Sequence, residues 1–286
     1  MQDLGTLGTG STYATGVNSS GQVVGYSIDS SGNYQGFLYS GGTMQNLGSG
    51  RANGISDYGQ IAFTTINANG TASAYEISGV SRYNLGTLGG TWTDAQVMNP
   101  NGLIAGSSLL AGNTARMAFM FTMPGQSLQN LSLNLGVYGY VAGISRSGNL
   151  AGCTSANGPQ QAFVTGAFGE DPLDIDPNGS ESVAYGINQK GQAVGFKLFG
   201  DAAHAFIWQG GLMTDLNTLL TPASSGWVLT SATDIDDAGQ IIGYGTNPSG
   251  QTDAFLLTPT TVPEPTTLAL LPIAAAALIL RRKQNC

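Results

Sequence analysis

One line of sequence recurs six times along the chain, and this repeat restricts the fold more than any other feature. Its usual form is a small residue, Ile or Val, Asn or Ser, two variable residues, Gly-Gln, and a short apolar stretch. The copies begin 38, 42, 47, 43 and 48 residues apart. Such a period is typical of repeat architectures. The six copies start at Gly16, Gly54, Gln96, Gly143, Gly186 and Asp234.

Two more lines complete the repeat, and each line is predicted to be a strand. The segments are short, rich in β-branched or aromatic residues, and bounded by Gly and Asn. The Asn/Asp/Ser-x-x-Gly element predicts a tight turn, because the Asx side chain caps its own backbone and Gly adopts positive φ. Each unit therefore predicts four antiparallel strands, the content of one β-propeller blade. The second line occupies residues 36–39, 74–77, 118–121, 162–165, 205–208 and 254–257, and the third occupies 44–48, 82–86 and 213–217.

The two ends of the repeat region favour a closed arrangement. The sixth unit lacks its third line, and that line stands at the other terminus as Met1-Gln2-Asp3-Leu4-Gly5. In a closed ring the N-terminal strand completes the last unit and protects its edge. We therefore predict an all-β fold, a six-bladed β-propeller over residues 1–258. The alternative is a β-solenoid, whose coils usually take about 20–30 residues.

The C-terminal segment has a different composition. A Thr/Pro linker, residues 259–265, ends in Pro263-Glu264-Pro265, and residues 266–280 carry no charge. As a helix those 15 residues extend about 22 Å, less than the roughly 30 Å hydrocarbon core of a bilayer. The basic cluster Arg281-Arg282-Lys283 should remain cytoplasmic. We predict a hydrophobic helical tail, residues 266–286, that spans a thin membrane.

This arrangement of a Pro-Glu-Pro motif, an apolar stretch and a basic stop resembles the PEP-CTERM sorting signal of bacteria with an extracellular matrix. The resemblance implies an exported protein that is held in the inner membrane until an exosortase-type transpeptidase processes it near Pro263, Glu264 and Pro265. It then implies a location at the cell surface or in the matrix. No signal peptide is visible at residues 1–5, so we expect the precursor to begin further upstream.

The repeat itself resembles the HAF family of secreted bacterial repeats. The match rests on His204-Ala205-Phe206 and on Leu85-Gly-Thr-Leu-Gly-Gly90. His204 is the only histidine, so the resemblance concerns the pattern and not a chemical group.

The charge balance argues against two classes of partner. The net charge is −8, and only 9% of residues are charged, which is unsuited to nucleic acid and anionic lipid. A polar, acidic surface fits a secreted or surface protein. Because Cys286 lies beyond the sorting signal, Cys153 would be left alone in the processed protein, and we expect it to be a small buried side chain.

No catalytic constellation is evident. His204 has Asp201 three residues before it, but no Gly-x-Ser-x-Gly elbow supplies a nucleophile. Asp174, Asp176 and Asn178 resemble the first half of a calcium loop, although Tyr185 stands where the bidentate Glu is needed. We predict no cofactor, with Ca²⁺ as the alternative at this loop.

The sequence thus favours a non-catalytic exported protein whose propeller binds an extracellular polysaccharide or another surface protein. The alternative is a polysaccharide-active enzyme that uses a carboxylate pair. The aromatic residues Trp92, Trp208 and Trp227 suit either sugar stacking or packing. The acidic residues available to such an enzyme are Glu170, Asp171, Asp174, Asp176 and Glu181.

Overall fold

The computed structural model is an all-β protein, as predicted. It describes residues 3–8, 10–67, 69–121, 129–130, 138–155, 158–167, 173–176 and 180–259. The strands fall into six consecutive groups, here called units 1 to 6, and each unit contains one copy of the repeat. The sorting-signal residues Pro263, Glu264, Pro265, Arg281, Arg282 and Lys283 lie outside the described residues, as does Asn178.

Units 1 to 3 have four strands each. Their strands are β1 Thr12–Val17, β2 Val23–Ile28, β3 Tyr34–Ser40 and β4 Thr43–Ser49, then β5 Arg51–Ile55, β6 Ile61–Ile66, β7 Ala72–Ser78 and β8 Ser81–Asn84, then β9 Gly89–Met98, β10 Ile104–Leu110, β11 Arg116–Phe121 and β12 Gln129–Asn130.

Units 4 and 5 also have four strands, whereas unit 6 has three within the described part of the chain. Short 3₁₀ turns lie at Ala111–Asn113, Leu216–Leu219 and Pro222–Ser224. The strands are β13 Tyr138–Ile144, β14 Leu150–Ser155, β15 Gln161–Val164 and β16 Leu173–Asp174, then β17 Ser182–Ile187, β18 Ala193–Phe199, β19 Ala202–Gln209 and β20 Leu212–Asp215, then β21 Val228–Ile235, β22 Ile241–Thr246 and β23 Thr252–Leu257.

Within each unit the strands pair antiparallel in chain order. Units 2, 3 and 4 are linked into one sheet of 12 strands, but only by single parallel pairs, Ala72 with Trp92 and Arg116 with Tyr138. Residues 3–8 are in no strand, so the predicted N-terminal strand is not formed by the residues described there.

The Asn/Ser-x-x-Gly turns form where the sequence predicts them. In unit 1 the Asn18 carboxamide oxygen accepts hydrogen bonds from the backbone N–H groups of Ser20 and Gln22, at 3.1 and 3.0 Å. Gly21 closes the turn with φ +73° and donates its N–H to the Asn18 carbonyl at 3.0 Å. A residue with a Cβ is strained at such a φ, which explains the Gly of the repeat.

The core lies between units rather than within them. In one cluster Val24 of unit 1 packs against Ala52, Ile55 and Phe63 of unit 2, and each later junction repeats this arrangement. The Phe of the second repeat line is fully buried in units 1, 3, 4 and 5. Each unit therefore depends on its neighbours for its buried surface.

Candidate functional site

The first strand of every unit contains a β-bulge, which the sequence analysis missed. In all six units the pairing of the first and second strands skips a residue of the first strand, and unit 6 has a second skip at Thr230. A bulge leaves its extra residue out of the ladder and turns its side chain away from the regular alternation. The residues that are skipped in this way are Thr15, Asn53, Gln96, Ala142, Tyr185 and Thr233.

These bulges surround a central cavity of about 290 Å³ that residues from the first strands of all six units line. Several bulge side chains bond to the next first strand. Thr15 Oγ1 donates to the Ala52 carbonyl and Asn53 Nδ2 to the Ala95 carbonyl, both at 2.6 Å. Gln96 Oε1 accepts the Val141 N–H at 3.0 Å. The cavity wall is thus polar, and its hydrogen bonds connect successive units.

The turn ends of the units are also connected. The side-chain Nδ2 of Asn18, Asn99 and Asn188 donates to the backbone carbonyl of Ser56, Ser145 and Asp236 in the next unit, at 3.0, 2.9 and 2.9 Å. Asp237 accepts the backbone N–H of Gln189 at 2.9 Å. Asp236 and Asp237 therefore serve as turn residues that connect units 5 and 6.

A second, larger cavity of about 420 Å³ lies at the opposite end of the strands, between units 3 and 4. Arg116 stands at its edge, with its guanidinium carbon 3.9 Å from the centre of the Trp92 aromatic ring. Sequence spacing does not pair these residues, because they lie in β9 and β11, which are separated by β10. The other lining residues are Gly139, Tyr140, Cys153, Thr154, Ser155, Gly158 and Gln160.

Charged and aromatic groups continue from this cavity around the same end of units 1 to 4. Arg51 lies over the Tyr34 aromatic ring at 5.4 Å, and its Nη2 is 3.8 Å from Asp94 Oδ2. Burial raises the pKa of Tyr140, and the Asp94 charge raises it further. Arg51 Nε and Asp94 Oδ1 are buried without a hydrogen-bond partner among the described residues. Buried polar atoms of this kind usually bond ordered water or a bound group.

The acidic loop predicted from the sequence is partly neutralised. Asp176 is 1% exposed and pairs with Lys197, while Asp174 Oδ1 accepts the Asp176 N–H at 2.8 Å. Glu181 lies on the surface nearby, and Glu170 and Asp171 are outside the described residues. Among the residues that the structure describes, no three His, Cys, Asp or Glu side chains gather into a metal-binding group.

His204 has a carboxylate partner, but it is Asp215 and not Asp201. Its Nδ1 lies 2.7 Å from Asp215 Oδ2. Although burial raises the pKa of Asp215, hydrogen bonds from His204 and Asn217 outweigh that effect and hold the pKa below its ordinary value. Asp215 occupies the position of Asn46 and Asn84 in the third repeat line.

The remaining predicted residues lie at unit junctions. Trp208 and Trp227 pack against buried clusters. Cys153 is a free, buried thiol whose pKa burial raises to about 11.

In the described ranges no helix is both long and apolar enough to cross a bilayer.

Known structures resemble this fold. No family model matches the chain, and no curated protein does. TolB from Acinetobacter baumannii is similar at TM-score 0.52 and 16% identity, over 71% of this chain and 53% of that one. This chain therefore spans about half the length of that protein. A TolB-annotated structure from Agrobacterium tumefaciens gives TM-score 0.51 and 11% identity, with 88% and 91% covered. The β-propeller domain of the Trilobed protease from Pyrococcus furiosus gives TM-score 0.40 and 9% identity, with 86% and 92% covered. At these identities the likeness concerns the fold alone, and the two TolB structures, with TM-scores above 0.5, show that this chain has a fold similar to theirs.

Proposed function

We propose that this protein is an exported, non-catalytic surface or matrix protein whose propeller binds an extracellular polysaccharide or another surface protein. The observation that carries this proposal is the pairing of its acidic and basic groups. Asp176 is neutralised by Lys197, and Asp215 is held by both His204 and Asn217. Both pairs stabilise strands, whereas the two cavities remain open for a ligand.

We further propose that the units close into a six-bladed ring. The segment Leu4–Gly8 repeats residues 85–89, and its hydrogen bonds repeat as well. The Leu7 N–H donates to Ser27 Oγ at 3.4 Å and the Leu88 N–H to Ser108 Oγ at 3.0 Å. Residues just before Leu4 therefore correspond to the last strand of a preceding unit, and unit 6 is the unit with only three strands in the described part of the chain.

The exposed side chains at the two ends of the repeat region support the same closure. Ile242 and Leu256 of unit 6 are 48% and 60% exposed, and Val17 of unit 1 is 67% exposed. Their counterparts at the other junctions are mostly buried, for example Ala151, Val164 and Ile187 at 0%, 4% and 6%. Exposed apolar surface of this kind favours a partner, and unit 1 is the repeat-equivalent partner of unit 6.

Delivery by the C-terminal segment is the third part of the proposal. An exosortase-type enzyme would process the chain near Pro263-Glu264-Pro265 after transient anchoring in the inner membrane. The test is to express the full chain behind a signal peptide in a host that has an exosortase system. A variant with all three motif residues changed to Ala is compared, and Thr258→Ala/Pro259→Ala/Thr260→Ala serves as a matched control.

The proposal expects the wild type and the control to be shortened and to reach the surface or matrix, while the motif variant stays in the membrane. If all three stay full-length and membrane-bound, the sorting assignment is wrong. If the shortened protein remains in the medium and binds neither cells nor matrix, the binding assignment is wrong. Glycan cleavage that Asp176→Asn abolishes would favour the enzymatic alternative.

A further inference from the structure

The cavity between units 3 and 4, here called the Arg116 cavity, has the size of a small-ligand site. Its volume of about 420 Å³ falls within the range of about 300–1,000 Å³ for such sites. It opens at the end of the strands opposite the Asn/Ser-x-x-Gly turns. A ligand that enters there does not disturb the contacts that connect the units at the turn end.

Arg116 supplies a cation that no protein carboxylate occupies. Arg51, Arg146 and Lys197 each form an ion pair with an aspartate, whereas Arg116 contacts no carboxylate in the described part of the chain. Its guanidinium stacks on Trp92, and this contact holds it in place before a ligand arrives. A planar guanidinium binds a carboxylate with two parallel hydrogen bonds.

The rest of the lining offers hydroxyl, amide and aromatic groups. Thr154 is buried and carries a hydroxyl, the half-buried Ser155 hydroxyl donates to the Gly158 carbonyl at 2.7 Å and so offers its oxygen as an acceptor, and Gln160 adds an exposed amide. Tyr140, at 44% exposure, presents a flat apolar surface with a polar end. A small inorganic anion would leave these groups unused, and a neutral sugar would leave the guanidinium unused.

We propose that the Arg116 cavity binds an acidic saccharide, with the sugar carboxylate on Arg116 and the sugar ring against Tyr140. The sugar hydroxyl groups bond Thr154, Ser155 and Gln160. This inference rests on the proposed binding function and names the ligand class. The net charge of −8 disfavours polyanions over most of the surface, so Arg116 supplies the local attraction that this site needs.

The experiment measures the affinity of the full chain for a uronic-acid tetrasaccharide, for its neutral methyl ester and for inorganic phosphate by calorimetry. Arg116→Gln should weaken binding of the acidic saccharide by about tenfold or more, since it removes a charge-assisted contact. Arg146→Gln makes the same charge change at the turn end and should leave affinity within about twofold. The neutral methyl ester should bind the wild type about as weakly as the acidic saccharide binds Arg116→Gln.

A second variant keeps the test independent of Arg116 and its stacking on Trp92. A Cβ on Gly158 meets nothing within 4 Å, so Gly158→Leu extends into the cavity without a backbone clash, and it should also abolish binding. Unchanged affinity in both variants overturns the proposal, as does phosphate binding that equals the saccharide. If neither variant alters retention of the protein on matrix polysaccharide, this cavity assignment falls and the proposed function stands. If the wild type binds neither matrix nor saccharide, both fall.

Discussion

Two departures from the repeat, Gly36 in unit 1 and Phe63 in unit 2, compensate for each other in the core. This pair gives the sharpest test of the packing. In most units the second strand carries a Gly beneath the buried aromatic of the third strand, and a Cβ on Gly25 would lie 2.9 Å from the Phe37 ring. Unit 2 has Phe63 in place of that Gly. The Phe63 ring occupies the space that a Cβ of residue 36 would need, and unit 1 has Gly36 where the other five units have Ala.

The structure sets the expected effect of Gly36→Ala. The new Cβ would lie 2.3 Å from the Phe63 ring, whereas carbon atoms pack at about 3.5–4.0 Å. The ring is fully buried and lies under Arg82 at 4.6 Å, so it has little room to move. Overpacking costs about 1–3 kcal/mol, and replacing a strand Gly by Ala returns about 0.5–1 kcal/mol. We expect a net loss of about 1–2 kcal/mol.

The effect should reverse when the ring is removed. Phe63→Ala alone should cost about 3–5 kcal/mol, but in that background Gly36→Ala should stabilise by about 0.5–1 kcal/mol. The four variants are compared by urea unfolding, which gives a coupling energy of about 1.5–3 kcal/mol. Gly8→Ala, where a Cβ meets nothing within 4 Å, is the control and should act alike in both backgrounds. The reasoning is refuted if Gly36→Ala has the same sign and size with and without the ring.

Three further predictions follow from the buried groups. Lys197→Met leaves the Asp176 carboxylate, which is 1% exposed, without its cation and should lower the free energy of unfolding by about 3–5 kcal/mol; Asp176→Leu in the same chain should recover much of this in urea unfolding. The pKa of Asp215 in the folded protein is held low. Its contribution to the free energy of unfolding is therefore complete above the unfolded pKa of about 3.9 and is lost as pH falls through the folded pKa. In thermal melts from pH 2 to 6, Asp215→Asn should reduce the loss of stability that the wild type shows on acidification. An unchanged dependence of stability on pH would contradict the assignment. Because burial raises the pKa of Cys153 to about 11, little thiolate forms at pH 8, and in a Cys286→Ser background a thiol reagent should modify Cys153 much more slowly in the native protein than after unfolding; equal rates would contradict this.

The sequence predicted the strands and tight turns because both depend on local signals. The turn at Asn18–Gln22 needs only an Asx side chain and a Gly within five residues, and the structure forms it as expected. The repeat length and the all-β class follow from the same signals. The bulges at Thr15 and Tyr185 were not predictable, since a bulge is defined by how two strands pair and not by either strand alone.

At the candidate sites, the side-chain contacts are the part that the sequence did not predict. His204 pairs with Asp215 in the next strand and not with the nearer Asp201, because strand pairing places Asp215 opposite Phe206, two residues from His204 on β19. Arg116 and Trp92 meet across two strands, and Lys197 reaches Asp176 from another unit. These contacts depend on tertiary placement, which residue spacing does not contain.

Closure of the ring is the central claim about the fold, and a disulfide cross-link tests it most directly. In unit 1 Leu38 is paired with Gln45, and the repeat makes Leu256 and Gln2 the equivalent pair between unit 6 and the N-terminal line. Paired Cβ atoms on neighbouring strands are about 4.5–5.5 Å apart, close enough for a disulfide after small adjustments. Each pair of residues is changed to Cys in a Cys286→Ser background and oxidised under native conditions.

The closed ring predicts that Gln2→Cys/Leu256→Cys forms an intramolecular disulfide as completely as Gln45→Cys/Leu38→Cys, while Gln2→Cys/Leu38→Cys does not. A cross-link at residues 2 and 256 that forms no faster than the mismatched pair would contradict closure by the N-terminal strand.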